Sequence, residues 1–231
     1  MKKIAKPHKP NNKRCIFTEG INYFTTGETS IWGTGDKETL EFLDKEKIKG
    51  KWLNLAAGDG RYNLNLLKKA DFVVASDIDE SALSKLWHTT PEKYRTKLEI
   101  KVFVITKPFP FDDVSFDGVF CAGILHLFPR DIFRKIFYEI DRILKPKGKI
   151  IIDFATDIKR VSPDGKLIVF ENEPQYTLDE AKELLKETFK KYKIKIQELQ
   201  VFEEEFKASN PPYKFSCKGV LLVAEKWLND C

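Results

Sequence analysis

Apolar residues along this chain come in two kinds of pattern, and the two alternate. Five short apolar-rich runs, at 52–56, 72–75, 98–105, 116–122 and 149–154, each have Gly, Pro, Asp or Ser at or near their ends. Runs of that length and with those boundaries predict strands buried on both faces. Between them lie stretches with helical spacing. Residues 131–144 place Ile132, Phe133, Ile136, Phe137, Ile140, Ile143 and Leu144 on one face, which predicts a helix. A second helix is predicted over 62–70, and a third starts at Asp79 or Ser81, runs to about His88 and stops at Thr90-Pro91. A short helix capped near Gly35-Asp36 buries Leu40 and Leu43. Thr177 with Glu180 forms a capping box opening a last helix, whose Leu178, Ala181, Leu184, Leu185 and Phe189 face inward. Two further strands follow, over 192–202 and 217–226. Strand alternating with helix means an α/β fold, doubly wound, with a mostly parallel sheet covered on both faces. Lys145-Pro146-Lys147-Gly148, ahead of the fifth strand, has the residue order of a type I turn.

Two segments fall outside this alternation. Residues 19–50 interleave Gly20, Gly27, Gly33 and Gly35 with Ile21, Tyr23, Phe24, Ile31 and Trp32, too aromatic for a linker, so they are expected to dock on the body. Residues 155–176 contain Ser162-Pro163-Asp164-Gly165 between two apolar runs, which predicts a hairpin insertion. That hairpin either overhangs the ligand edge of the sheet or only patches the core.

Composition narrows the reading. A chain of 231 residues is one ordinary domain. The net charge of +5 is concentrated: residues 1–18 carry six basic residues and no acid, leaving 34 basic against 35 acidic residues in the domain at 19–231. The start is therefore expected to be a basic, disordered tail, and the body is near neutral. Four scattered cysteines without a C-x-x-C pair and three histidines argue against a disulfide framework and a metal site, and fit a reducing cytoplasm. No apolar run approaches the roughly eighteen residues of a membrane span, and the basic start lacks the apolar core of a secretory signal. Abundant Lys, Glu and Ile with little Gln and Met give a thermophile-like bias.

The candidate chemistry lies where the first strand ends, in Leu55-Ala56-Ala57-Gly58-Asp59-Gly60 ahead of a helix. Glycines there let bare backbone approach a ligand, and the helix start presents unpaired N–H groups. The next strand closes on Ser76-Asp77-Ile78-Asp79, about twenty residues on, where a carboxylate can accept the two hydroxyls of a ribose. A dinucleotide fingerprint needs a third glycine, and Asn63 or Arg61 stands there in the two registers. A phosphate-binding P-loop is absent as well. A nucleoside-bearing cofactor other than a dinucleotide is what remains.

The order of later motifs extends this. Pro110-Phe111, then Phe116-Asp117 leading into a strand, then Leu144-Lys145-Pro146-Lys147-Gly148 leading into another, follow the glycine turn in register. Together they resemble the class I S-adenosylmethionine (SAM) methyltransferases, a Rossmann-like family, from about Lys51 to Phe154. The resemblance implies a seven-stranded sheet closed by an antiparallel C-terminal strand, with SAM as cofactor and S-adenosylhomocysteine (SAH) as product. It implies that Ala56, Gly58 and Gly60 line the methionine end, that Asp77 takes the ribose and that Ile78 packs on the adenine. Thr106 and Lys107 would approach the adenine edge, with Cys121, Ala122 and Gly123 facing the methyl donor. Asn54 stands where the family carries an acid, and Ala56 replaces a glycine. Asp59 either meets the methionine amino group or shapes the turn. Tyr23 and Trp32 either bury themselves in the body or face the sulfonium. His126 either serves as general base near neutral pH or positions its loop.

The acceptor expected for a near-neutral body with no large recognition domain is a small molecule. An RNA or protein acceptor, supported by the basic tail, and a SAM-binding protein without catalysis are the alternatives. A Rossmann-type dehydrogenase is more distant.

Overall fold

Each apolar run becomes a strand of one sheet in the computed structural model, which describes residues 21–169, 173–207 and 211–227. The tail expected at 1–18 lies outside the described residues. Strands β1 (Lys51–Leu55), β2 (Phe72–Asp77), β3 (Leu98–Val102), β4 (Phe116–Ala122) and β5 (Leu144–Val161) are parallel to one another. Strands β6 (Tyr192–Phe206) and β7 (Tyr213–Lys226) are paired antiparallel, and β7 also runs antiparallel to β5. The order β3-β2-β1-β4-β5-β7-β6 is the expected seven-stranded, mostly parallel sheet. It reverses between β1 and β4, and at such a switch the carboxyl ends part to leave a crevice.

Six helices cover the sheet: α1 (Lys37–Lys45), α2 (Asn63–Leu67), α3 (Glu80–Thr89), α4 (Glu92–Arg95), α5 (Arg130–Ile143) and α6 (Leu178–Thr188). One face packs Leu43 of α1, Leu66 and Leu67 of α2, and Leu83 and Leu86 of α3 against Trp52, Val73, Phe120 and Ile151. The other packs Phe133, Ile136 and Ile140 of α5 and Leu184 and Leu185 of α6 against Leu53, Leu55, Cys121 and Ile152. The caps form as the sequence requires. Asp36 accepts from Thr39 N at 2.8 Å, Asp79 from Ser81 N at 2.9 Å, and the Thr177–Glu180 box closes on itself. No helix among the described residues is long and apolar enough to cross a membrane.

Several boundaries differ from the pattern, for local reasons. The helix expected over 62–70 is regular only at Asn63–Leu67 and unwinds into a turn. The third strand, expected to reach residue 105, stops at Val102. A turn closes there, with Lys107 N donating to Val104 O at 2.9 Å, and folds Ile105 into the core. The turn at Lys145-Pro146-Lys147-Gly148 is not type I: Lys147 has a φ of 61°, the positive value that a type II turn needs at its third residue.

The largest difference is at the sheet's far side. The expected fifth strand over 149–154 continues to Val161, and β6 and β7 extend with it beyond their expected ends. The residues read as the first arm of a hairpin are thus β5 itself, paired with β7 from Lys159↔Ser216 to Val161↔Lys214. The tight turn does form, with Gly165 N on Ser162 O at 2.9 Å, but the returning residues make a single bridge, Val161↔Leu167.

Two β-bulges bend this three-stranded extension. One extra residue sits in β5 between Thr156 and Lys159, and one in β6 between Leu199 and Phe202. Both oppose the same stretch of β7, Ser216 to Gly219. Asp157, inside the first bulge, has a φ of 50°, and its carboxylate accepts from Leu178 N at the start of α6 at 3.2 Å. A bulge turns the alternation of side chains by one residue. Before the bulges, Asp153, Ala155 and Leu199 face the α1 side; after them, Arg160, Phe202 and Phe206 do.

Candidate functional site

A cleft of about 1510 Å³, its open mouth included, follows the carboxyl rim from β2 across β1 and β4 and under the bent extension.

The β2–β1 end is built by the glycine turn. Ala56, Gly58 and Gly60 all take positive φ, 54°, 53° and 98°, so the chain doubles back sharply between strand and helix. Left-handed geometry at Ala56 is a strained choice for a residue with a Cβ, the kind of strain that collects at functional sites. Gly58 donates its N–H to Asp77 Oδ2 at 2.9 Å, and Asp79 N donates to Asp77 Oδ1 at 3.0 Å. Burial raises the Asp77 carboxyl above its ordinary value, with these backbone donors opposing the rise. Ile78, Asp79, Ile124 and Leu127 complete this end of the cleft.

Of the candidate site residues, Asn54, Ala56, Gly58, Asp77, Ile78, Ala122, Gly123, Tyr23, Trp32 and His126 line the cleft. Other expected residues do not. Gly60 packs beside α3 instead: a Cβ there would stand 2.9 Å from Leu86 Cγ. Cys121 points into the core opposite, because successive residues of β4 face opposite sides and Phe120 and Ala122 take the cleft side. Thr106 and Lys107 lie in the turn that ends early after β3, away from the cleft lining.

Asp59 is also corrected. Its carboxylate holds the N-terminal segment: it accepts from Ser30 Oγ at 2.6 Å, Ile31 N at 2.8 Å and Lys85 Nζ at 2.9 Å. The Asp59 side chain is fully buried and that of Lys85 is 5% exposed. Lys85 also donates to Thr29 O at 2.7 Å and Thr26 Oγ1 at 2.9 Å. This buried pair pins residues 26–31, and so carries Trp32 over the glycine turn, where its ring lies 3.6 Å from the Cβ position of Gly58. Trp32 Nε1 donates to the Tyr23 hydroxyl at 3.1 Å, and its ring meets Phe206 edge-on at 5.3 Å.

Between the two ends lies a polar group that sequence reasoning did not single out. Arg61 donates from Nη1 to Trp32 O at 2.8 Å, while its Nη2 lies 3.1 Å from the Cβ position of Gly123. Asp153, beside Ala122 across the β4–β5 ladder, accepts from Thr39 Oγ1 at 3.0 Å and from the Tyr62 hydroxyl. That hydroxyl in turn accepts from Asp36 N at 2.8 Å. A carboxylate among Ile151, Ile152 and Phe154 was the available signal, since acids are almost never buried in strands without a purpose.

Burial pushes the Asp153 carboxyl up to about 6, with the Arg61 charge pulling it back and Asp36 adding to the rise. The folded carboxyl thus holds its proton more tightly than the unfolded one, so stability falls as pH rises from about 4 to about 6 and then stays level. A rise of that size corresponds to about 3 kcal/mol. Asp153→Asn is therefore expected to flatten the pH dependence of the melting temperature between pH 4 and 6, relative to wild type. Equal slopes for the two proteins would show that this carboxyl is not perturbed.

His126 sits in a one-turn 3-10 helix after β4, 5% exposed, with its Nδ1 buried and without a hydrogen-bond partner. Burial, assisted by the nearby Arg160 charge, pushes its imidazolium down to about 3. Of the two alternatives, a base titrating near neutral pH does not fit a ring kept neutral by this burial.

Comparison with known proteins comes to the same place. A methyltransferase domain family model matches residues 53–152. No curated protein sequence matches. Among solved structures, the fold is similar to a SAM-dependent methyltransferase from Methanosarcina mazei, with 19% identity, 84% of this chain and 100% of that one covered, and a TM-score of 0.62. It is similar to DhpI in its SAH complex, with 21% identity, coverages of 78% and 80%, and a TM-score of 0.56. It is also similar to the Burkholderia thailandensis 1,6-didemethyltoxoflavin N1-methyltransferase bound to 1,6-didemethyltoxoflavin and SAH, with 16% identity, coverages of 83% and 78%, and a TM-score of 0.56. With the motifs in register from β1 to β5 and the cleft at the switch point of the sheet, residues 53–152 match the methyltransferase domain family, on the fold shared with SAM-dependent methyltransferases.

Proposed function

We propose that this enzyme methylates a small molecule, with the cofactor lying along the β2–β1–β4 part of the cleft and the acceptor under the bent β5–β7–β6 extension. The observation that carries this is the division of one cleft into two chemically different ends. SAM, when bound, supplies a methyl group already activated by its positive sulfur, so the protein's task is chiefly positioning.

The residues present fit such a cofactor. Asp77, held rigid by Gly58 N and Asp79 N, offers carboxylate oxygens to a ribose diol. Ile78, Ile124 and Leu127 offer an apolar slot for a purine. Arg61 supplies a cation for an amino-acid carboxylate, and Asp153 and Asp36 supply carboxylates for its ammonium group. Together they make up for Asn54, which stands where the family carries an acid and whose amide donates to Asn63 Oδ1 at 3.1 Å. Trp32, beside the glycine turn with its Nε1 on the Tyr23 hydroxyl, helps to exclude water there.

A small acceptor fits the far end, where Trp32 meets Phe206 edge-on. The body's near-neutral charge gives it no net positive charge to draw nucleic acid. Incubation with methyl-labelled SAM and separate fractions of cell extract tests the proposal. Label is expected in the low-molecular-weight fraction. Label in RNA or in protein would overturn it, and SAM binding without labelling of any fraction would point to a non-catalytic role.

A further inference from the structure

The far end of the cleft is built by the two bulges, and its composition is unusual. Strict alternation from Leu199 would turn Val201, Glu203 and Glu205 toward the cleft. The extra residue in β6 instead brings in Phe202 and Phe206 and leaves Val201 60% exposed. The matching bulge in β5 brings in Arg160. Facing them from β7 are Tyr213 and Phe215. The rings touch in series: Phe202 and Phe215 at 6.2 Å, Phe206 and Phe215 at 5.5 Å, Phe206 and Tyr213 at 5.4 Å. Trp32 adds a fifth ring from the other wall.

The charge in this end is cancelled. Arg160 forms a bidentate pair with Glu173, both distances 2.8 Å, with side chains 6% and 0% exposed. Its guanidinium also lies over the Phe215 ring at 5.6 Å. Lys218 is exposed at the mouth, in water. The carboxylates lining the cleft, Asp36, Asp77, Asp79 and Asp153, are all on the cofactor side assigned above. The polar atom left over is His126 Nδ1, on a neutral ring beside Phe154, buried and without a partner. A buried polar nitrogen without a bond is costly, and a ligand that supplies one recovers that cost.

We infer that the acceptor is a flat aromatic or heteroaromatic molecule without net charge, stacked in the Trp32–Phe206–Phe215 chamber and hydrogen-bonded to His126. A linear aliphatic acid would need an unpaired cation, and an aliphatic amine an unpaired carboxylate; among the described residues this end offers neither inside the cleft, with Lys218 only at its mouth. Ring faces stack on aromatic edges and faces over a distance an alkyl chain does not exploit. The inference rests on the reading of the site given under Proposed function.

Calorimetry tests the acceptor and the cofactor reading separately. SAH is titrated into the protein first, and the SAH-loaded protein is then titrated with 4-hydroxyquinoline, hexanoate or hexylamine. The expected result is binding of 4-hydroxyquinoline with a Kd below about 1 mM, and at least tenfold weaker binding of the other two. Phe215→Leu and His126→Leu are each expected to weaken 4-hydroxyquinoline at least tenfold; bound SAH in each variant shows that it is folded. If SAH binds but 4-hydroxyquinoline gives no heat, or hexanoate or hexylamine binds as well, the inference is wrong and the cofactor reading stands. It is equally wrong if both variants bind the quinoline like wild type. If SAH itself does not bind wild type, both fail.

Discussion

Asp77→Asn is expected to weaken SAH binding by at least a hundredfold while leaving the melting temperature of the free protein nearly unchanged. The carboxylate sits at the tip of β2, lines the cleft, and is oriented by Gly58 N at 2.9 Å and Asp79 N at 3.0 Å. Hydrogen bonds to a charged group contribute about 1.5–3 kcal/mol each, and a ribose diol makes two of them. Their joint loss of roughly 3–6 kcal/mol is a factor of a hundred or more. Asparagine keeps the shape and one acceptor oxygen, so the turn retains one of its two backbone bonds while the diol loses its anion. Calorimetry with SAH on the two proteins measures this, and equal affinities would remove Asp77 from the site.

Lys85→Met is expected to have the largest effect on stability of any single change in the site's surroundings. Asp59 and Lys85 are both buried, and removing the cation leaves a carboxylate with no counter-charge. Breaking a buried pair from one side costs about 3–5 kcal/mol. For a domain of this size each kcal/mol lowers the melting temperature by roughly 2–4 °C, so a drop of about 10 °C is expected. The segment at 26–31 loses its anchor as well, because Lys85 holds Thr26 and Thr29 and Asp59 holds Ser30 and Ile31. Trp32 is then released from above the glycine turn. The double variant Asp59→Leu/Lys85→Met removes both charges and is expected to be more stable than Lys85→Met alone. A single variant melting within about 2 °C of wild type would show that the pair is not isolated from water.

Much of this was legible in the residues, and the exceptions have physical causes. Strands β1, β2, β4 and β5 announced themselves because buried strands need apolar-rich runs, and the caps at Asp36, Asp79 and Thr177 because their side chains answer orphan N–H groups; β3 is an edge strand with Ile100 and Val102 exposed. Asp77 was legible because a strand tip on a parallel sheet is a fixed place. Alternation along a strand also decides which neighbours of an expected residue reach a ligand. That rule separates Ala122 from Cys121, which a reading by motif alone groups together.

The far end was not legible, for the same rule. Its side chains are placed by two bulges, and a bulge inverts the alternation by which a strand is read. Val-Phe-Glu-Glu-Glu-Phe at 201–206 looks like an exposed edge in one register and like a cleft wall in the next. Asp59 misled for another reason: a carboxylate within a glycine turn suggests a ligand, yet its partners at Ser30 and Lys85 are distant in sequence. The low proton affinity of His126 comes from burial and from Arg160, neither of which its own loop shows.

The central claim is that an adenosyl cofactor occupies the rim of the sheet with its sugar on Asp77. A crystal structure of the wild-type protein with SAH tests it most directly. The account predicts both ribose hydroxyls within hydrogen-bond distance of the Asp77 carboxylate and the amino-acid end beside Arg61. SAH placed elsewhere, or its ribose turned away from Asp77, would contradict it.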